Sequence, residues 1–145
     1  MDADVYVLAN DRSLQIARDF LEKYLPERRF DSDRYEIYFY EGDKELNFLF
    51  GTEMEMLHFF ECHRDIAFCC SFSPIKKTEC VRKGFLYYLK DGGMICCMNI
   101  YQDDKKEDYL LEDLKNFLDS KYGLISYHIP LPNTKLDFFN KVSSR

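Results

Sequence analysis

The chain has 145 residues, 46% hydrophobic and 32% charged, with a formal net charge of −6 and six cysteines. That size suits one domain with its own core, read here as a single globular unit over 1–145, and the composition excludes a disordered chain. The acidic balance argues against nucleic acid and anionic lipid as partners, since both ask for a basic face, and it favours a basic protein.

"DVYVLAN" predicts a first strand with Val5 and Val7 on one side and Tyr6 and Leu8 on the other, apolar on both and so inside a sheet. Ser13 is placed to cap a helix whose stripe is Leu14, Ala17, Phe20, Leu21, Tyr24 and Leu25, ended by Pro26. "ERRFDSD" reads as a charged connection. "RYEIYFYEGD" then predicts a strand with Tyr35, Ile37 and Phe39 inward and Glu36, Tyr38 and Tyr40 outward, closed by a turn at Gly42-Asp43. Thr52 with Glu55 three residues on is the capping-box pattern, opening a helix that runs to about Arg64.

"DIAFCCSF" reads as a buried strand stopped by Pro74. Lys76, Lys77, Arg82 and Lys83 form a solvated basic loop. Residues 85–101 predict a hairpin around "KDGG", where Asp-Gly suits a type I′ turn. Asp103 or Asp104 is placed to start a helix striped by Leu110, Leu111, Leu114, Phe117 and Leu118, with Gly123 to end it. "LISYHI" is a last strand, and Thr134 is placed to cap a short terminal helix. The expected fold is therefore α/β in the α+β sense: a mixed, mostly antiparallel sheet of about five or six strands with amphipathic helices packed on it.

Catalytic patterns are weak throughout. Gly92 and Gly93 run into a strand and not a helix, so they lack the amide-lined helix start that a phosphate loop needs. Cys62, His63, Cys69 and Cys70 lack the spacing of a zinc site, and packed thiols with a surface histidine are the reading preferred here. His58, His63 and His128 stand near no nucleophile signature, with His58 and His63 expected on the solvated side of their helix. No catalytic residue, metal ligand or cofactor is assigned. The acidic opening "MDADV" is unlike a secretory signal, which points to the cytoplasm and to reduced cysteines.

One region combines charge with aromatics. Across 31–45 the acids Asp31, Asp33, Glu36, Glu41 and Asp43 alternate with Tyr38 and Tyr40. An outward row of carboxylates and tyrosines can anchor an Arg/Lys-rich surface, because tyrosine offers large contact area at low entropic cost. These seven residues are the predicted partner-binding set. The alternative is an exposed edge strand guarded by its charges.

Three stretches, "VYVLANDRSLQIARDFLEKYLPERR", "LYYLKDGGMICCMNIY" and "YLLEDLKNFLDSKYGLISYHIPLPN", resemble small immunity proteins encoded beside bacterial polymorphic toxins of Rhs and contact-dependent inhibition systems. The segment 41–79 lies outside that resemblance. The resemblance implies a cytoplasmic protein without catalytic residues that neutralises one cognate, often basic, protein toxin by non-covalent binding. Two other classes stay open at this point: a small enzyme using a cysteine and a histidine, and a structural or regulatory homodimeric subunit.

Overall fold

The computed structural model describes residues 2–76, 81–101, 106–127 and 134–143. In chain order these form β1 (Asp2–Leu8), α1 (Leu14–Tyr24), β2 (Arg28–Phe30), β3 (Tyr35–Glu41), β4 (Lys44–Phe50), α2 (Glu53–Cys62), β5 (Phe68–Pro74), β6 (Val81–Tyr88), β7 (Met94–Tyr101), α3 (Lys106–Leu118), β8 (Gly123–Ser126) and α4 (Lys135–Ser143). Six strands make one sheet in the order β2-β5-β6-β7-β1-β8, every neighbouring pair antiparallel. The fold is α+β. The doubly apolar β1 lies inside the sheet, between β7 and β8.

Alternation along the strands supplies both faces of the sheet. Val5 and Val7, with Cys96, Met98, Leu86 and Tyr88, face a core closed by α1, α2 and α3 through Phe20, Leu21, Leu57, Phe60, Leu110 and Leu114. Tyr6 and Leu8, with Ile95, Cys97 and Leu124, face the other way, where Phe138 of α4 is fully buried. Adjacent cysteines therefore split between the layers, Cys96 under the first three helices and Cys97 under α4.

Several elements depart from the sequence reading. "ERRFDSD" contains β2, because Arg28–Phe30 pair with Phe72–Pro74 and Phe30 packs 5.5 Å from Phe72. Strand β3 does not join the main sheet. It pairs with β4, which the sequence reading did not assign, to make a separate two-stranded sheet. Arg82 and Lys83 belong to β6 and not to a loop. "DIAFCCSF" is half-buried, with Cys70 inside and Cys69 exposed.

The turn between β6 and β7 is a hairpin of another type than expected. Only Gly92 has positive φ, at 88°, whereas a type I′ turn requires it at both central residues. Gly92 N–H donates to Leu89 O and Leu89 N–H to Gly93 O, so Gly92 supplies the single left-handed residue of a longer connection. Gly93 has a steric role: a Cβ there would lie 2.6 Å from Lys135 Cγ, where α4 meets the turn.

Helix ends follow local chemistry. Ser13 Oγ accepts from Ile16 N–H, Thr52 Oγ1 from Glu55 N–H and Thr134 Oγ1 from Asp137 N–H. The expected start of α3 at Asp103 or Asp104 lies outside the described residues. Its end does not use Gly123, which opens β8 instead. Asp119 takes the left-handed position, with φ 50°, and Ser120 N–H bonds back to Lys115 O. An Asp tolerates that conformation better than most side chains, so no glycine is needed.

Candidate functional site

The β3–β4 hairpin carries the predicted binding row. Its positive φ is confined to Gly42, the first central residue, which is the pattern of a II′ turn. The register pairs Tyr35, Ile37 and Phe39 with Phe50, Phe48 and Leu46 on one face. That face lies on α2: Phe48 and Phe50 meet the Phe59 ring at 4.9 and 5.3 Å, and Ile37 is fully buried. The other face places Glu36, Tyr38 and Tyr40 opposite Leu49, Asn47 and Glu45. Tyr38, Tyr40 and Leu49 are 52%, 71% and 60% exposed, more than packing alone asks of such large side chains.

Within the outer row Tyr38 donates its hydroxyl hydrogen bond to Glu36 Oε1, which Asn47 Nδ2 also approaches at 3.3 Å. Over 31–50 there are six acids against Arg34 and Lys44, so this one segment carries four of the six net negative charges of the chain.

A cleft of 580 Å³ opens beside the inner face, between the hairpin tip and residues 63–67 that follow α2. Phe39, Leu46, Phe48, Phe59 and Ile66 give it apolar walls, and Tyr40, Glu41 and Asp65 also line it, the last two bringing carboxylates. His63, stacked 4.0 Å from Phe59, also lines it. Aromatic faces next to carboxylates suit a cationic side chain with an apolar stem, such as Arg or Lys.

The segment that brings His63, Asp65 and Ile66 to this cleft is held by a residue that sequence reasoning passed over. Arg12 is fully buried and directs all its donors at backbone carbonyls. Nε donates to Phe60 O at 2.7 Å, Nη1 to Leu89 O and Arg64 O, and Nη2 to His63 O and Ile66 O at 2.8 and 2.7 Å. These include carbonyls that a helix end leaves without partners, where the negative end of the helix dipole favours a cation. The five N–H donors of a guanidinium match five acceptors, which a lysine cannot do. Burial lowers the Arg12 pKa from its ordinary value.

Around Arg12, residues 10–13 tie three helices together. Asn10 Nδ2 donates to Asp119 O after α3, Asp11 pairs with Arg64 at 3.0 Å, and Ser13 caps α1. The sequence signal was "NDRS", read above only for its final serine.

The seven predicted residues fall into three groups. Glu36, Tyr38 and Tyr40 share the outer hairpin face. Glu41 and Asp43 are exposed at its tip. Asp31 and Asp33 lie apart, lining a second cleft of 590 Å³ with Arg29 and Lys83. Asp31 turns back on the main sheet, accepting from Ser71 Oγ, Ser73 Oγ and Lys83 Nζ at 2.6, 2.6 and 2.8 Å. Burial acts to raise its carboxyl, but these three donors together hold it below the usual value.

Thiols divide by burial. Cys70 and Cys97 sit in the two cores, and burial pushes both well above the ordinary thiol range; Cys96 is raised in the same way. Cys69 touches solvent, yet burial against its neighbours pushes it up to about 11. A nucleophilic thiol needs the opposite shift, so none of these four is suited to that task. Cys62 is exposed, contrary to the packed-thiol reading, and stands beside His58. His58 and His63 are exposed as expected, and His128 and Cys80 lie outside the described residues.

No family model, curated protein or solved structure matches this chain. Among the described residues, no helix is long and apolar enough to cross a membrane.

Proposed function

We propose that this chain is a binding protein that neutralises a basic partner through the β3–β4 hairpin, acting by occlusion and without chemistry of its own. This is the immunity role that the resemblance implies, with a cognate toxin as the partner. The observation that carries the reading is the outer hairpin face, where exposed Tyr38, Tyr40 and Leu49 stand among Glu36, Glu45 and the tip acids. The neighbouring cleft accepts one Arg or Lys side chain between aromatic walls and the Glu41 and Asp65 carboxylates. Nanomolar binding requires about −12 kcal/mol, more than exposed ion pairs supply, so desolvated aromatic anchors must provide most of it.

The test is co-expression with the polypeptide encoded in the adjacent reading frame, followed by binding of the purified pair. Tyr40→Ala is expected to weaken the complex by about 2 kcal/mol or more, roughly 30-fold, mainly through faster dissociation. Glu41→Gln with Asp43→Asn is expected to slow association and flatten its salt dependence. Rescue and binding that survive all of these substitutions unchanged would remove the hairpin from the interface. A toxic neighbour that the chain neither binds nor neutralises would remove the function.

A further inference from the structure

We propose that His58 and Cys62 on the exposed side of α2 form a binding site for a thiophilic divalent cation of the Zn²⁺ type, with Glu61 as the residue that positions the imidazole. The inference is independent of the binding role above. Positions 58, 61 and 62 share one helical face by their three- and four-residue spacing. Cys62 Sγ lies 3.5 Å from His58 Nε2. A tetrahedral Zn²⁺ with its usual bonds to sulfur and nitrogen sets those donor atoms about 3.6 Å apart, so the pair already has the separation that the ion requires.

The other ring nitrogen is accounted for. His58 Nδ1 is 3.5 Å from Glu61 Oε1, so the carboxylate faces the ring nitrogen that does not meet the sulfur, and a proton held on Nδ1 leaves Nε2 to ligate. Glu61 is anchored in turn, because its Oε2 accepts from Leu14 N–H at 2.7 Å at the start of α1. One donor atom from each of the three residues falls within 4.8 Å of the others. A thiolate with an imidazole selects Zn²⁺ or Cd²⁺ over Mg²⁺ and Ca²⁺, which prefer oxygen. Binding replaces the thiol proton, which leaves to solvent, and the remaining coordination positions are open to water.

The same three groups stand in the order nucleophile, base, carboxylate, but hydrolysis needs more than order. They lie on one helix face, where the neighbouring backbone N–H groups serve the helix itself.

The test uses the full, reduced chain titrated with Cd²⁺ as the spectroscopic probe, and with Zn²⁺ in competition. One equivalent is expected to bind with a thiolate-to-metal charge-transfer band. Cys62→Ser should abolish the band, His58→Ala should weaken binding about 10- to 100-fold, and Cys69→Ser should leave it intact. Glu61→Gln retains an acceptor for Leu14 N–H but removes the charge beside Nδ1, so it should weaken Cd²⁺ binding less than His58→Ala does, and Glu61→Asp should restore part of the loss. Metal-free unfolding midpoints of the His58 and Cys62 variants should match that of the parent. A band that survives Cys62→Ser, an affinity indifferent to His58→Ala, or no saturable uptake overturns the site.

Discussion

The Arg12 guanidinium lies 4.8 Å from the centre of the Tyr88 ring, and the two form a fully buried pair at the junction of α2 with the sheet. The ring supplies a cation–π contact from below while five carbonyls receive the N–H groups around the edge. An unpaired charge at this depth would be costly. The arrangement disperses it over backbone dipoles, and in doing so sets the position of the segment that lines the hairpin cleft.

Arg12 is therefore expected to be the most sensitive single position for stability. Arg12→Met keeps much of the volume but leaves buried carbonyls dry at about 1–3 kcal/mol each. Two such losses already approach the stability of a small domain. Arg12→Lys, with three donors for five acceptors, should fall between the parent and Met. Urea unfolding of the three proteins checks the order, and an Arg12→Met protein as stable as its parent would refute it.

Asp31 gives a pH signature. Its folded-state carboxyl is held below the unfolded value of about 3.9, so its contribution to stability is complete above that value. It disappears as pH falls through the lowered folded value, where the native carboxylate takes up its proton. Asp31→Asn is expected to be less stable than the parent at neutral pH, with the gap narrowing below about pH 4. Unfolding midpoints measured down to acidic pH test this; a gap that stays constant would separate Asp31 from the effect.

Thiol accessibility should follow the layers. Cys62 is expected to react with a maleimide at once in the native protein, and Cys69 more slowly because its pKa is about 11. Cys70, Cys96 and Cys97 should react only as the protein unfolds, since all three are fully buried. Mass-mapped labelling with and without denaturant distinguishes the groups. Rapid native labelling of Cys96 or Cys97 would contradict the two-core packing.

The two turn glycines should fail for different reasons. Gly92→Ala carries a left-handed φ and is expected to cost about 1–2 kcal/mol while leaving α4 in place. Gly93→Val drives a side chain into Lys135 and Leu89, so it should loosen α4 and expose Cys97 to labelling. Equal labelling of Cys97 in both variants would count against α4 as its cover.

Much of the local structure was legible because it depends on neighbours in the chain. The caps at Ser13, Thr52 and Thr134, the doubly apolar β1 and the inward set Tyr35, Ile37 and Phe39 all follow from spacing and side-chain chemistry. Failures arose where a partner far along the chain decided the outcome. Arg28–Phe30 has no strand-like run, and it becomes β2 because β5 offers an edge and Phe72 a packing surface. Asp31 sits in an acidic run like its neighbours, yet Ser71, Ser73 and Lys83 claim it.

The amino-acid order alone determined that the chain would be α+β, that α1, α2 and α4 would begin at those hydroxyl side chains, and that tyrosines and acids would share one outward row. Periodicity and capping are short-range properties and need no knowledge of the whole. Tertiary structure decided that this row would stand on a hairpin apart from the main sheet, that Arg12 would gather five carbonyls, and that Leu14 N–H would hold Glu61 beside His58. Those outcomes depend on which surfaces come together, and a guanidinium is silent about its acceptors until the fold supplies them.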